Sequence, residues 1–462
     1  MSKKFSHPYI PNSQPEIKKQ MLDELGIASA EDIFKEIPSH LRFKGRMNLP
    51  EAIQSEYELK RHVEGILSKN KDCKENISFL GGGTWQHYVP SVCDTIASRD
   101  EFLTAYVGDA YSDHGKFQAM FEFQSMIAEL VGMDFAGTPT FDWGTAAGVS
   151  CRMASRKTGR KEILVSQNIS PGRLAVMKNY LKPEIKITMV KSVRRSGLMD
   201  LDDLKEKLSD KVAAVYFENP TYLGIIETQG AEISELAHGV KAESIIGCDP
   251  SSLGVLEAPA NYGADIVCGD IQPLGMHMQY GGGLGGFMAS RDEMEYVAEF
   301  PNLLFGITTT ISEGEYGFGE VYYERTSYAS REKAKDFVGT AAALYGITAG
   351  VYLALMGPHG MKELGEGIMQ RVSYAKRELA SIEGIRIAHD GYHFKEFVVE
   401  FNGTGKTVNE INKELKKKNI FGGINLEKTF PEFGQSALYS ITEVHTKEDI
   451  DKLIFALRTI IS

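Results

Sequence analysis

The stretch of the sequence that decides the fold is Ser244-Ile245-Ile246-Gly247-Cys248-Asp249-Pro250-Ser251-Ser252-Leu253-Gly254, an apolar run of strand type followed by an acidic turn. Before it, Val212 to Phe217 is a second apolar run and Ile233 to Val240 has helical spacing. After it, Ala264 to Cys268 is a third apolar run. Short strand-like runs that alternate with helices predict a mainly parallel α/β sheet with helices on both faces, and they place functional loops at the carboxyl ends of the strands.

The alternation continues towards both ends of the chain. Strands are predicted from Glu162 to Ser166 and from Ile185 to Val190, and a helix is predicted from Lys116 to Met133. Beyond residue 335 two long helical segments, Lys335 to Leu355 and Gly360 to Ile382, come before a β-α-β-α tail. This change of pattern predicts a small α+β domain at the C-terminus.

Proline interrupts the first part of the chain, where short amphipathic helices are predicted from Pro15 to Leu25 and from Glu31 to Ile37. Such an arm cannot form a core alone and is expected to lie on the main body or on a partner. We therefore predict an N-terminal arm over residues 1–75, a large α/β domain over 76–335 and a small α+β domain over 336–462.

The composition narrows the classes of function. The 462 residues carry a formal net charge of -11, which disfavours nucleic acid as a partner because nucleic-acid binding needs clustered Lys and Arg. No apolar run is long enough to predict a membrane span, and no secretory signal is recognised. The five cysteines form no CxxC pair, and the histidines form no HExxH motif, so no metal site is predicted and a reducing cytoplasm is expected.

Glycine-marked loops are the candidate ligand-binding segments; they are Phe79–Thr84, Asp142–Gly148, Asp249–Gly254 and Tyr280–Gly286. Each, taken alone, is more typical of a tight turn, and none has the spacing of a dinucleotide or P-loop motif. Gly144 and Thr145 open a helix and offer N–H groups and a hydroxyl to a phosphate. The order of the loops resembles fold-type-I pyridoxal-phosphate (PLP) enzymes, in which an aspartate keeps the pyridine nitrogen protonated. Asp249 has the place of that aspartate, although a turn-capping role before proline explains it equally well.

A lysine is missing where such an enzyme needs one. The Schiff base with PLP normally comes from a strand end shortly after the aspartate, and here that place reads Asp270-Ile271-Gln272-Pro273. No lysine occurs between Lys241 and Lys333. Because the covalent anchor requires an amine at this strand end, the chain alone is not expected to form a conventional PLP enzyme.

A series of motifs runs through nearly the whole chain. They are Phe79–Gly83, His87–Pro90, Phe102–Tyr106, Phe121–Leu130, Asn219–Pro220, Asp249–Leu256, Tyr262–Val267, Gln272–Gly275, Arg331–Lys335 and Thr442–Glu443. With these motifs in this order, the chain resembles the family of glycine dehydrogenase (decarboxylating) subunit 1, the P-protein α subunit of the glycine cleavage system. The resemblance implies the fold-type-I PLP-dependent transferase fold, with a sheet of the seven-stranded type.

The resemblance also implies a division of labour between two subunits. PLP is expected to be bound covalently only by a lysine-bearing P-protein subunit 2, in a heterodimer or α2β2 heterotetramer that decarboxylates glycine and passes the aminomethyl group to the lipoyl H-protein. This chain is expected to shape the site without supplying a confident catalytic residue. Its candidate cofactor contacts, in a vestigial or shared site, are Gly144, Thr145, Asp249 and Gln272. Its candidate substrate-lining or interface residues are His87, Tyr106, His114, Asp142 and Asn219.

Three segments depart from the family pattern: residues 107–115, 140–143 and 336–338. In the second, Trp143 stands where the family has glycine, and a tryptophan would narrow any channel that it faced. Two alternatives therefore stay open. The chain is a paralogous subunit of a complex that acts on another amino acid or amine, or it is a catalytically dead PLP-fold scaffold. Drift in a subunit without catalytic residues explains the departures equally well.

Overall fold

The structure of the chain is a computed structural model, which describes residues 9–45, 47–103, 114–334, 336, 338 and 341–461. It divides into two compact units, Met1–Lys71 and Asp72–Ser462. The division of the second unit at residue 335 stays a prediction. Among the helices of the described residues, none is long and apolar enough to cross a membrane.

The α-helices of the described residues are α1 (Pro15–Glu24), α2 (Glu56–Leu67), α3 (Ser91–Ala97), α4 (His114–Val131), α5 (Trp143–Thr158), α6 (Pro171–Leu181), α7 (Leu201–Lys207), α8 (Gly230–Gly239), α9 (Met294–Val297), α10 (Ala343–Ala380), α11 (Val408–Lys417) and α12 (Lys447–Ile461). The strands are β1 (Ile77–Ser78), β2 (Phe135–Ala136), β3 (Glu162–Ser166), β4 (Lys186–Val190), β5 (Val212–Glu218), β6 (Glu243–Cys248), β7 (Ile266–Asp270), β8 (Gly286–Ser290), β9 (Phe305–Thr309), β10 (Tyr316–Glu320), β11 (Arg386–Ile387), β12 (Glu396–Glu400), β13 (Ile420–Phe421), β14 (Ile424–Asn425) and β15 (Ser436–Ser440).

The N-terminal unit contains α1 and α2, and none of its described residues is buried. Pro15 occupies the first turn of α1 together with Glu16, as expected from the fixed φ of proline and the helix dipole. Ser55 caps α2 by accepting the N–H of Glu58. The second predicted helix of this region is a 3-10 helix, Ala30–Glu36, rather than an α-helix. Neither α-helix buries a residue, which agrees with an arm that cannot form a core alone.

A seven-stranded sheet forms the centre of the second unit, in the order β2-β8-β7-β6-β5-β3-β4. The strands from β7 to β4 are parallel, as predicted, whereas β8 and β2 are antiparallel at one edge. The sequence interpretation missed β8 because the glycine run before it was read only as a loop. Strand β7 starts at Ile266, two residues later than the predicted start. Its last residue is Asp270.

Alternate side chains of the central strands belong to two separate apolar layers. In β5, Val215 and Phe217 join a core that includes Ile233 of α8. Ala214 and Tyr216 of the same strand join a second core, which includes the buried face of α5. Because neighbouring side chains of a strand point to opposite faces, the sheet is covered on both sides, as its apolar strands require.

The C-terminal part contains an antiparallel sheet in the order β11-β12-β15-β14. Helix α10 begins at Ala343. The predicted start at Lys335 lies outside the described residues, and the described residues between it and Ala343 are not helical. Asp336, one of these residues, has its carboxylate held by Arg152 and Arg156. The predicted separation of two long helices is retained as a break at Gly357, where φ is 57°.

Candidate functional site

Asp249 lies at the carboxyl end of β6 and is 4% exposed. Its Oδ1 accepts the N–H of Ser251 at 3.0 Å and the hydroxyl of Ser251 at 2.7 Å. These bonds cap the 3-10 turn Pro250–Gly254, which is the structural role considered from the sequence. The second carboxylate oxygen, Oδ2, remains for another partner.

That partner is Lys395, a residue that the sequence interpretation did not select. Its Nζ lies 2.5 Å from Asp249 Oδ2, 3.2 Å from His87 Nε2 and 3.4 Å from Ser251 Oγ. The ammonium also lies 3.6 Å from the centre of the Trp85 ring, a distance at which a cation is attracted to the ring face. Lys395 is only 1% exposed, so Asp249 and Lys395 form a buried ion pair.

His87 links this ion pair to a second carboxylate. Its Nδ1 lies 2.8 Å from Glu443 Oε2, and the N–H of Tyr88 donates to Glu443 Oε1 at 2.7 Å. Because the ammonium of Lys395 can only donate, Nε2 must accept and Nδ1 must carry the hydrogen that is donated to Glu443. Burial opposes the charged form of Glu443, but the hydrogen bonds from His87 and Tyr88 favour it, and the pKa of Glu443 lies below its usual value.

The segment that carries Lys395 is held against the loop after β5. The N–H of Phe394 donates to the carbonyl of Gly224, and the N–H of Ile226 donates to the carbonyl of Tyr392. A Cβ at Gly224 would overlap the backbone oxygen of Glu396, so this approach requires glycine. These contacts place the start of β12, in the C-terminal sheet, at the carboxyl edge of the seven-stranded sheet.

Glu396 explains the first glycine loop. Its Oε1 accepts the N–H of Gly82 at 2.6 Å, and a Cβ at Gly81 would overlap the same oxygen. Burial raises the pKa of Glu396 to about 7, although the Gly82 N–H and the neighbouring Lys395 favour the charged form. The loop is therefore shaped by close packing against a buried carboxyl group.

The start of α5 is already capped by the chain itself. Asp142 Oδ1 accepts the N–H of Thr145 at 2.6 Å, so a carboxylate lies where an anion would meet the helix. Gly144 is explained by packing, because a Cβ there would lie 3.0 Å from Val176 of α6. Gly144 and Thr145 are both buried, so the turn that was predicted to face a phosphate is covered by the Asp142 cap.

The end of β7 carries a carboxyl and an amide where a lysine would anchor the cofactor. Asp270, which is 3% exposed, accepts the N–H of Gln272 at 2.8 Å. Burial raises the pKa of Asp270 to about 7, and the nearby Asp142 adds to this rise. The amide of Gln272 accepts the N–H of Trp85 and donates to the carbonyls of Trp85 and Met276. Gln272 therefore fixes the loop that supplies Trp85 and His87.

A second buried ion pair lies one strand away and was also missed from the sequence. Arg173 of α6 donates two hydrogen bonds of 2.7 Å to Glu218, the last residue of β5. The guanidinium of Arg173 lies 3.8 Å from the centre of the Trp143 ring. Trp143 is thus packed beneath a cation within the protein. A signal was present in Glu218, a charge that ends an otherwise apolar strand.

The remaining candidate residues have separate environments. Asn219 pairs with the backbone of Glu227 through its side-chain oxygen at 3.0 Å, which is a loop-fixing role. Tyr106 and residues 107–113 lie outside the described residues, and His114 is described only as the first residue of α4. No group of metal-binding side chains is found in the described part of the chain.

The residues at this edge do not fit PLP. Asp249, which would meet the pyridine nitrogen, is paired with Lys395 at 2.5 Å. The helix start that would meet the phosphate is capped by Asp142. The strand end that would supply the Schiff-base amine carries Asp270 and Gln272. Each position that would contact the cofactor is therefore filled by the chain itself or lacks the required group.

Comparisons with known proteins agree with the fold and cover nearly the whole chain. A family model described as the glycine cleavage system P-protein matches residues 7–457. The probable glycine dehydrogenase (decarboxylating) subunit 1 of Pyrococcus abyssi is 40% identical over 457 residues, which cover 98% of this chain and 99% of that protein. The protein of the same name from Staphylothermus marinus is 38% identical over 465 residues, with 99% of each covered.

Solved structures give the same result. A crystal structure of glycine decarboxylase (P-protein) of the glycine cleavage system, in inhibitor-bound form, has a TM-score of 0.86 and 32% identity, and the match covers 99% of this chain and 100% of that one. A NifS-like protein from Rickettsia africae has a TM-score of 0.62 at 15% identity over 83% of this chain and 99% of that one, and therefore shares the fold alone. The predicted fold-type-I fold is confirmed.

Proposed function

Since the chain belongs to the glycine cleavage system P-protein family, we propose that it is subunit 1 of a two-subunit, PLP-dependent glycine decarboxylase. The observation that carries this assignment is the end of β7, where Asp270 and Gln272 stand and no lysine is available between Lys241 and Lys333. Two relatives that match the chain over nearly its full length are named as subunit 1 of such an enzyme, which supports a partner subunit.

In this proposal, the lysine that binds PLP covalently belongs to subunit 2. The cofactor supplies an electron-withdrawing ring for the loss of CO2 from glycine, and this chain supplies walls, charge and shape around the partner's site. The lipoyl H-protein accepts the aminomethyl group. The assembly is a heterodimer or an α2β2 heterotetramer in the cytoplasm.

The test is reconstitution with the lysine-bearing chain from the same genome. The two subunits are expected to elute together in gel filtration, and exchange of labelled CO2 into glycine is expected only from the mixture with PLP and H-protein. A partner variant in which the Schiff-base lysine is replaced by alanine serves as the control, since it should keep the complex and lose the exchange. Separate elution with no gain of activity would contradict the proposal.

Borohydride reduction locates the cofactor independently of turnover. After reduction of the complex, the phosphopyridoxyl label is expected on a lysine of subunit 2, because the strand end that would carry it here has no amine. Peptide mass spectrometry of each subunit checks this. A stoichiometric label on this chain would contradict the assignment. Robust exchange with another amino acid but not with glycine would instead favour a paralogous complex.

A further inference from the structure

The surroundings of the Lys395 ammonium have the chemistry of a complete ammonium site. Its three hydrogens face three acceptors: Asp249 Oδ2 at 2.5 Å, His87 Nε2 at 3.2 Å and Ser251 Oγ at 3.4 Å. The hydroxyl of Ser251 donates to Asp249 Oδ1, so its oxygen has a lone pair to offer to Lys395. The face of the Trp85 ring covers the ammonium at 3.6 Å.

The four groups that surround the ammonium come from distant parts of the chain. Trp85 and His87 lie in the loop before α3, Asp249 and Ser251 follow β6, and Lys395 precedes β12. The loop of Trp85 is fixed by Gln272, and His87 is fixed by Glu443. The acceptors are therefore held in place by bonds that do not involve Lys395.

The backbone at Lys395 supports a specific role for its side chain. Its φ is +42°, in the left-handed region that residues other than glycine rarely adopt. Such a conformation persists only where the surrounding contacts hold it. Here the hydrogen bond from Phe394 to Gly224 and the ion pair with Asp249 fix the residue from both ends.

From this geometry we infer that Trp85, His87, Asp249 and Ser251 form an ammonium-binding site whose resident ligand is Lys395. The ammonium stands where the fold would place the positive pyridine nitrogen of PLP, and the carboxylate of Asp142 stands where it would place the phosphate. The chain thus replaces both charged ends of the cofactor with its own side chains, and the site excludes PLP. This inference concerns the chain alone and does not depend on the proposed decarboxylase activity.

Chemical rescue tests the ammonium site directly. In the full-length chain, Lys395→Ala removes the ligand and leaves the Asp249 carboxylate buried without its cation, so the melting temperature is expected to fall by roughly 5–10 °C. Addition of about 50 mM n-butylammonium should restore several degrees, because the free cation can enter the vacated space and gain from mass action. The same concentration of n-butanol should restore much less, and wild-type protein should respond to neither.

Two further variants keep the test decisive if Lys395→Ala does not fold. Lys395→Met retains the length of the side chain but removes its charge, and it should melt well below wild type without rescue by n-butylammonium. Adding Asp249→Asn to Lys395→Met should recover most of the loss, because no charge is then left unpaired. Lys417→Ala, at an exposed ion pair with Glu414, is the matched control and should melt within about a degree of wild type.

The results that overturn the inference are equally specific. One is a folded Lys395→Ala chain that n-butylammonium stabilises no more than n-butanol does. Another is a Lys395→Met chain that melts like wild type. A third comes from titration of wild-type chain with PLP: saturable, micromolar quenching of tryptophan fluorescence that Asp249→Asn abolishes would show that the cofactor enters this site.

Discussion

The carboxyl ends of β5 and β6 differ from the end of β7, although the three strands are neighbours in one sheet. Glu218 ends β5 and is paired with Arg173, and Asp249 follows β6 and is paired with Lys395. Asp270 ends β7 with similar burial, but it has no ion pair within 4.0 Å among the described residues. The three carboxyl groups are similarly buried, and they differ in whether a distant segment brings a cation within ion-pair distance.

The largest effect is expected from breaking a paired end. Arg173→Met leaves Glu218 buried without its cation, which should cost about 3–5 kcal/mol of unfolding free energy. Urea denaturation measures this loss. The double variant Arg173→Met, Glu218→Gln is the control and should recover most of it, since the uncompensated charge is gone. Equal losses in the single and double variants would show that packing on Trp143, rather than the ion pair, dominates.

Asp270, at the end of β7, should make the stability of the chain depend on pH. The pKa of Asp270 is raised to about 7 in the folded chain, from an ordinary value of 3.8. Between these values the folded chain keeps a proton on this carboxyl that the unfolded chain has lost, so the contribution of Asp270 to stability falls as pH rises from about 4 to about 7 and then levels off. Glu396, with a pKa raised to about 7, acts in the same direction.

Replacement of the carboxyl removes part of this slope. Relative to wild type, Asp270→Asn should raise the unfolding free energy at pH 7.5 compared with pH 4.5 by roughly 1–3 kcal/mol, measured by urea midpoints across that range. Glu396→Gln is the matched variant, since it removes the other raised carboxyl at this edge. An unchanged slope in Asp270→Asn would mean that the group is ionised in the folded chain.

A smaller effect is expected from a variant that keeps the carboxyl groups of Asp270 and Glu396. Asp142→Asn keeps a side-chain oxygen for the N–H of Thr145 and so should change stability by less than about 1 kcal/mol. It removes the negative charge that helps to raise the pKa of Asp270. The pH at which stability levels off should therefore shift downward. Asp142→Ala, which also loses the helix cap, should be less stable than Asp142→Asn at every pH.

The smallest effect is expected where a lysine is exposed at the surface. Lys416→Ala changes a lysine of the last turn of α11 for which no buried partner is described, and the melting temperature should stay within about a degree of wild type. Differential scanning calorimetry of Lys416→Ala and Arg173→Met side by side compares their melting temperatures directly. A loss comparable with that of Arg173→Met would show that surface charge, and not burial, sets the energies.

The sequence predicts most of the sheet because buried parallel strands are marked by local composition. The runs at Glu162–Ser166 and Val212–Phe217 lie in strands, and Asp249 lies directly after its strand. These features depend on residues adjacent in the chain. The antiparallel strand β8 was missed because the residues before it are rich in glycine. Glycine is as typical of a loop as of a strand that another backbone approaches closely.

The contacts between the charged residues of the site could not be predicted from residues adjacent in the chain. Lys395 and His87 are separated by 308 residues, and only the tertiary fold brings them within 3.2 Å. Lys395 precedes β12 and Glu396 is its first residue, and charges are usual at the solvated end of a strand. The role of Asp142 also depended on the fold, because a cap and a ligand-facing turn have the same sequence pattern.

The left-handed backbone of Lys395 has a consequence for how this family can vary. Glycine or asparagine would sit there more comfortably, so backbone preference alone favours loss of the lysine. Such a loss strands a buried anion at Asp249, and the two positions should therefore be exchanged together over evolutionary time. Relatives with glycine at the first position are expected to carry an uncharged residue at the second, or else to have regained room for a separate cation.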